Sequence, residues 1–124
     1  LAVALDRLLA ATHDVAVVDG QDVFKPSPEG DWQALYKEVG ERFPDYGHYT
    51  VASPLEAVEG ACMIGDAIDD LADITKDLRE VLWRGNNFGP DEATWHFRFA
   101  YETHWGRHAR ELALYLHARI TAIG

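Results

Sequence analysis

Residues 65–80 read GDAIDDLADITKDLRE, and five aspartates, Asp66, Asp69, Asp70, Asp73 and Asp77, fall within twelve positions of this run. The run also carries Ile68, Leu71, Ile74 and Leu78 at three- and four-residue spacing, the period of a helix with one buried stripe. Aspartate is a weak helix former, because its short side chain competes for backbone donors. At about 100° per residue, Asp70, Asp73 and Asp77 lie within about 40° of Asp66, and Asp69 stands about 60° to the side. Ala67, Leu71, Ile74, Leu78 and Val81 occupy the adjoining sector. The acidic strip therefore borders the buried stripe and does not lie opposite it. Like charges one turn apart, as at 66/70, 69/73 and 73/77, repel by a few tenths of a kcal/mol when exposed and by more when partly buried. Something positive must answer them.

Working outward, the spacing predicts a helix from about residue 61 to 84, with Gly85 as its stop. Upstream, Asp31 caps a helix over 31–43 whose apolar face is Trp32, Leu35, Tyr36, Val39 and Phe43, and Pro44 ends it. Leu1, Leu5, Leu8, Leu9, Thr12, Val15 and Ala16 predict a first helix over about 1–17. Residues 20–30, with two prolines and two glycines, read as loop. HYTV at 48–51 has the character of a short extended piece, with no second strand pattern to pair with it. Downstream, NNFG is a tight linker, and Pro90, Asp91 and Glu92 suit a first helical turn. The last helix then runs over about 91–122, with Trp95, Phe99, Trp105, Leu112 and Leu116 on its core side. The expected architecture is all-α: a single-domain bundle of about four helices over 1–124, with a loop-rich segment between the second and third and with residues missing upstream of Leu1.

The formal charge of −10, from 21 acids against 11 Lys and Arg, disfavours nucleic acid as a general partner, since phosphate binding needs a basic footprint. No stretch reaches the apolar length of a membrane span. The single cysteine, Cys62, rules out a disulfide within the chain; it reads as a buried structural residue, and the expected compartment is the cytoplasm.

The last helix supplies the cations, Arg98, Arg107, Arg110 and Arg119 with His96, His104, His108 and His117, opposed over 95–119 only by Glu102 and Glu111. Two helices of opposite sign should pack together. Asp70, Asp73 or Asp77 is predicted within hydrogen-bonding reach of Arg98, His104, Arg107 or His108, and Arg98 with Glu102 as a partly buried couple. The candidate polar cluster is Asp69, Asp70, Asp73, Asp77, Arg98, Glu102, His104 and His108. It fits internal pairing, a docking strip for a basic protein surface, or a metal site. For the metal site, Asp70, Asp73, His104 and His108 are the donors, with Mg²⁺ or Mn²⁺ ahead of Zn²⁺. Neither Glu-x-x-His nor the zinc-protease HExxH is present, since Trp105 follows His104.

Two wider resemblances bear on chemistry. Asp69-Asp70-Leu71-Ala72-Asp73 resembles the DDxxD diphosphate-binding motif of isoprenoid synthases, but the second metal motif of that family is missing. Glu38-x-x-Glu41 with Asp70-x-x-Asp73 resembles the paired acids of all-α nucleotide pyrophosphohydrolases, in which the second pair normally starts with Glu. A third resemblance covers more of the chain. DDLADITKDL (69–78) and WHFRFAYETHWGRHA (95–109) resemble an uncharacterised bacterial family, domain of unknown function 5063, over roughly 31–118. Thr75 and Ser53 depart from its pattern, where Tyr and Asp are usual. The resemblance implies a small helical protein and no mechanism. The expected function is a non-enzymatic binding or regulatory module acting on an unidentified protein or small molecule, with a homodimer allowed. The alternative is a divalent-metal-dependent hydrolase.

Overall fold

A computed structural model gives the fold of residues 1–19, 30–56 and 62–121. The frame is all-α, with helices α1 (Ala2–Ala11), α2 (Trp32–Arg42), α3 (Ala67–Phe88), α4 (Pro90–Ala100) and α5 (Gly106–Thr121). A π-helical turn, Tyr101–Trp105, joins α4 to α5, so the predicted last helix is one rod with a bulge in it. The loop predicted over 20–30 lies outside the described residues, apart from Gly30.

α2 begins as its sequence dictates, with the Asp31 carboxylate accepting from the Ala34 N–H at 3.1 Å. α1 is shorter than predicted. Thr12 turns its hydroxyl back onto the Leu9 carbonyl at 2.6 Å, and the amides of Thr12 and His13 bond three residues back, which tightens and ends the helix.

The third helix needs correcting at both ends. Its predicted first turn is a strand: β2 (Met63–Asp66) pairs antiparallel with β1 (His48–Val51), placing His48 opposite Asp66 and Tyr49 opposite Gly65. Gly65 permits this, because a Cβ there would come within 2.6 Å of the Tyr49 ring. α3 then starts at Ala67, and Asp66 is its cap, accepting from the amides of Ile68 and Asp69. At the other end the helix passes through Gly85, where a Cβ would stand 3.1 Å from that of Ala93, so this glycine serves the close approach of α3 and α4. The stop is Gly89, at φ 97°.

α3 is the central element. Ala67 and Ile74 join Leu5 and Leu9 of α1 and Trp105, Leu112 and Leu116 of the rod in the main core. Ile68 and Ala72 pack on Leu35 and Val39 of α2 in a second cluster. Each buried leucine contributes about 1.5–3 kcal/mol. The two clusters meet at Leu71 and Tyr46.

The π turn sets which face the rod shows to α3. The Gly106 amide bonds the Tyr101 carbonyl five residues back, and a side chain at Gly106 would collide with Tyr101. One extra residue turns everything downstream by about 100°. Trp105 is fully buried while Phe99, six residues before it and about 120° or more around the rod, is 47% exposed, although the sequence pattern places both on the core side. Arg98 and Glu102 form the predicted pair at 3.2 Å, with Arg98 partly buried and also donating to the Val15 carbonyl and with Glu102 exposed. Cys62, expected inside, is exposed. No helix among the described residues is long and apolar enough to cross a membrane.

Candidate metal centre

The π turn also aligns three histidines. In a straight helix His96 and His104 would stand about 80° apart; with one extra residue absorbed they lie about 20° apart, and His108 follows one turn on. All three face the acidic edge of α3 in antiparallel order. His108 Nδ1 is 2.9 Å from Asp70, His104 Nδ1 is 2.6 Å from Asp77, and His96 Nε2 is 3.4 Å from Glu80. The predicted pairing of the two helices is realised by His104 and His108. Arg98 and Arg107 turn instead to Glu102 and Glu111 on their own rod.

The partners of each aspartate explain why the helix carries so many. Asp66 caps α3 and accepts from the Tyr36 hydroxyl at 2.8 Å. Asp70, 3% exposed, accepts from the Tyr49 hydroxyl and from His108. Asp73 accepts from the Trp32 indole N–H at 3.2 Å and stands 3.9 Å from His104 Nε2. Asp77 holds His104. Asp69 has no hydrogen-bond partner for its carboxylate among the described residues. Its pKa is raised by burial first and then by the charges of Asp73, Asp66 and Asp70, with His108 pulling the other way. Repulsion in the strip is thus not fully relieved from within.

The tyrosine and tryptophan donors were not found by sequence reasoning, which looked for cations. Trp32 and Tyr36, one turn apart on the apolar face of α2, were visible as core residues with a polar tip. Burial, followed by the bond to Asp70, raises the Tyr49 phenol well above its ordinary range, so it stays a donor.

Asp73, His104 and His108 each offer a ligand atom, and the three atoms lie within 4.8 Å of one another. Asp70 and Asp77 are instead taken up by the Nδ1 atoms of the two imidazoles. Donors on one tetrahedral ion at about 2.1 Å stand about 3.4 Å apart, so the widest pair would have to close by about 1.4 Å at most. Asp70, His104 and His108 also line a cleft of about 520 Å³ with Asp66, Asp69 and Glu102. Glu38 and Glu41 take no part: they are 51% and 67% exposed and pair with Arg42 and Lys37 on α2. The double acidic pair of the pyrophosphohydrolase resemblance is therefore not assembled.

A family model described as domain of unknown function 5063 matches residues 1–121. The chain belongs to that family. The match to domain 5063 extends beyond the 31–118 of the sequence resemblance and takes in α1, whose Leu5 and Leu9 are part of the main core. No curated protein and no solved structure matches the chain.

The bond that His108 donates to Asp70 raises the histidine's pKa, against an opposing effect of burial. A folded value above the ordinary ~6.5 means that this pair stabilises the fold fully below about pH 6.5 and loses its effect as pH rises through the folded value. His96 has the opposite sense. Burial lowers its pKa, so its contribution is present above about pH 6.5 and is lost as pH falls through the folded value. His108→Gln is therefore expected to cost more stability at about pH 6 than at about pH 8.5. Urea unfolding of the two proteins at both pH values checks this; an equal cost at both contradicts a charged pair.

Proposed function

We propose that the protein is a binding module for a divalent transition-metal ion held by Asp73, His104 and His108, with Asp70 and Asp77 orienting the imidazoles. The observation that carries this reading is the engagement of both Nδ1 atoms by carboxylates of α3. Metal-ligating histidines almost always give their second ring nitrogen to such a partner, which fixes the tautomer and leaves Nε2 for the ion. A lone structural ion pair does not require two imidazoles, each backed by its own acid, beside a third carboxylate. Two imidazoles and one carboxylate suit Zn²⁺, Mn²⁺ or Fe²⁺ better than Mg²⁺, whose preferred ligands are all oxygen. A cation would also relieve the repulsion at Asp69. The exposed single cysteine fits a reducing cytoplasm.

A second reading, metal-dependent hydrolysis, draws on one observation: Asp70, His104 and His108 line an open cleft of about 520 Å³. Catalytic metal sites keep an open coordination position, while structural ones are closed.

Calorimetric titration of Zn²⁺, Mn²⁺ and Mg²⁺ into the chain tests the proposal. Zn²⁺ or Mn²⁺ should bind with one site per chain and more tightly than Mg²⁺. Asp73→Asn and His104→Gln should each weaken binding by about 100-fold or more. Absence of binding at millimolar metal, or unchanged affinity in both variants, would overturn it.

A further inference from the structure

A second and larger cleft, of about 1100 Å³, adjoins the first and shares Val51, Arg107 and Glu111 with it. It runs between β1 with the segment after it and the outer face of α5. Its chemistry is the reverse of the metal cleft. Tyr49, Val51, Leu55, Leu114 and Tyr115 make its walls apolar. Leu114 is 69% exposed and Leu55 99%, so the described residues leave this apolar surface open. Its charged lining is three arginines, Arg107, Arg110 and Arg119, against Glu111 alone, on a chain with a formal charge of −10. The spacing of 107, 110, 114 and 118 puts arginine and apolar groups on one face of α5.

Two of the guanidinium groups are held in place by neutral groups. Arg110 donates to the Tyr101 hydroxyl at 2.7 Å. Arg119 donates to the Asp45 carbonyl at 3.0 Å and lies over the Tyr46 and Tyr115 rings at 5.1 and 5.6 Å. Neither position is neutralised by a carboxylate among these contacts, and a guanidinium carries five N–H donors, of which such contacts use few.

We propose that this groove binds a small anionic amphiphile, one apolar chain or ring system ending in a carboxylate or phosphate. The apolar part would lie on Leu114, Val51 and Tyr115, and the anion would meet Arg119 at one end of the groove or Arg110, nine residues away, at the other. Charge complementarity selects an anionic head, and burial of the exposed leucine selects an apolar body. The occupant is a free molecule and not a bilayer surface: the cleft is concave and of small-molecule size, and a chain this acidic is repelled by an anionic leaflet. The proposal is independent of the metal reading.

The test is calorimetric titration of dodecanoate, dodecan-1-ol and dodecyltrimethylammonium, each as monomer, into the full chain with chelator present to keep metal out. Dodecanoate should bind, with the alcohol at least about tenfold weaker and the ammonium compound weaker still. Leu114→Glu, at an exposed position the fold tolerates, should reduce dodecanoate binding by about tenfold or more. Arg110→Gln combined with Arg119→Gln should bring dodecanoate down to the level of the alcohol. Equal binding of all three probes, or unchanged dodecanoate affinity in both variants, would overturn the proposal. So would sedimentation with phosphatidylglycerol vesicles in the absence of monomer binding.

Discussion

Asp70→Ala is expected to lower the unfolding free energy by about 3 kcal/mol and to weaken metal binding by about 10–100-fold. The carboxylate is 3% exposed and serves two donors on two different elements, the Tyr49 hydroxyl from β1 and His108 Nδ1 from α5. Its removal leaves a phenol and an imidazole in the interior without their acceptor. Each such orphaned group costs about 1–3 kcal/mol, and a protonated His108 costs more. The metal effect is indirect, because His108 keeps its place in the chain but loses the group that fixes its ring and tautomer. Asp70→Asn separates the two effects. It keeps an oxygen for one donor and removes the charge, so it should retain more stability than Asp70→Ala. Urea unfolding followed by circular dichroism gives the first quantity and calorimetry the second. A loss below about 1 kcal/mol in Asp70→Ala would show that the buried carboxylate does not tie the hairpin to the rod.

Arg84→Met should cost about 3–5 kcal/mol, the range for breaking a buried ion pair by removing one partner. The Arg84 guanidinium, with its side chain 11% exposed, bonds Glu92 at 2.7 Å and Glu80 at 3.2 Å, so it joins two acids of α3 and α4 across the Gly89 turn. Glu92 is 2% exposed and cannot recover hydration in place when that donor goes. The double variant Arg84→Met, Glu92→Leu should regain most of the loss, because well-packed apolar groups often replace a buried pair without cost. Double-mutant analysis of urea midpoints reads this directly. A single variant as stable as the parent, or a double variant no better than the single, would contradict it.

The parts of the fold that were legible in the sequence are those set by local chemistry. The Asp31 cap, the α2 face around Leu35 and Val39, and the stripe of α3 each follow from spacing within one helix. The placing of the aspartates beside the buried stripe, and their meeting with His104 and His108, followed from opposite charge on two long helices. The hairpin did not follow. Met63 and Ile64 are consecutive and both exposed, so MIGD shows no alternation, and the pairing of His48 with Asp66 is non-local. Nor did the π turn, whose one sequence trace is Gly106. A single extra residue rotated the downstream face and brought His96 into line with His104. Arg98 pairs with Glu102 as its four-residue spacing predicts, and Arg107, offered as a partner for the aspartates, is taken for the same reason by Glu111, four residues on.

The central claim is that His104 and His108 are held by Asp77 and Asp70 so that, with Asp73, they can take one metal ion. Anomalous diffraction from crystals grown with Zn²⁺, collected at the zinc edge, tests it most directly. The account predicts one peak at about 2.0–2.2 Å from an Asp73 oxygen and from an imidazole nitrogen of both His104 and His108, with Asp70 and Asp77 still on the Nδ1 atoms. A peak on other acids of the surface, or no peak while both histidine–aspartate pairs remain intact, would contradict it.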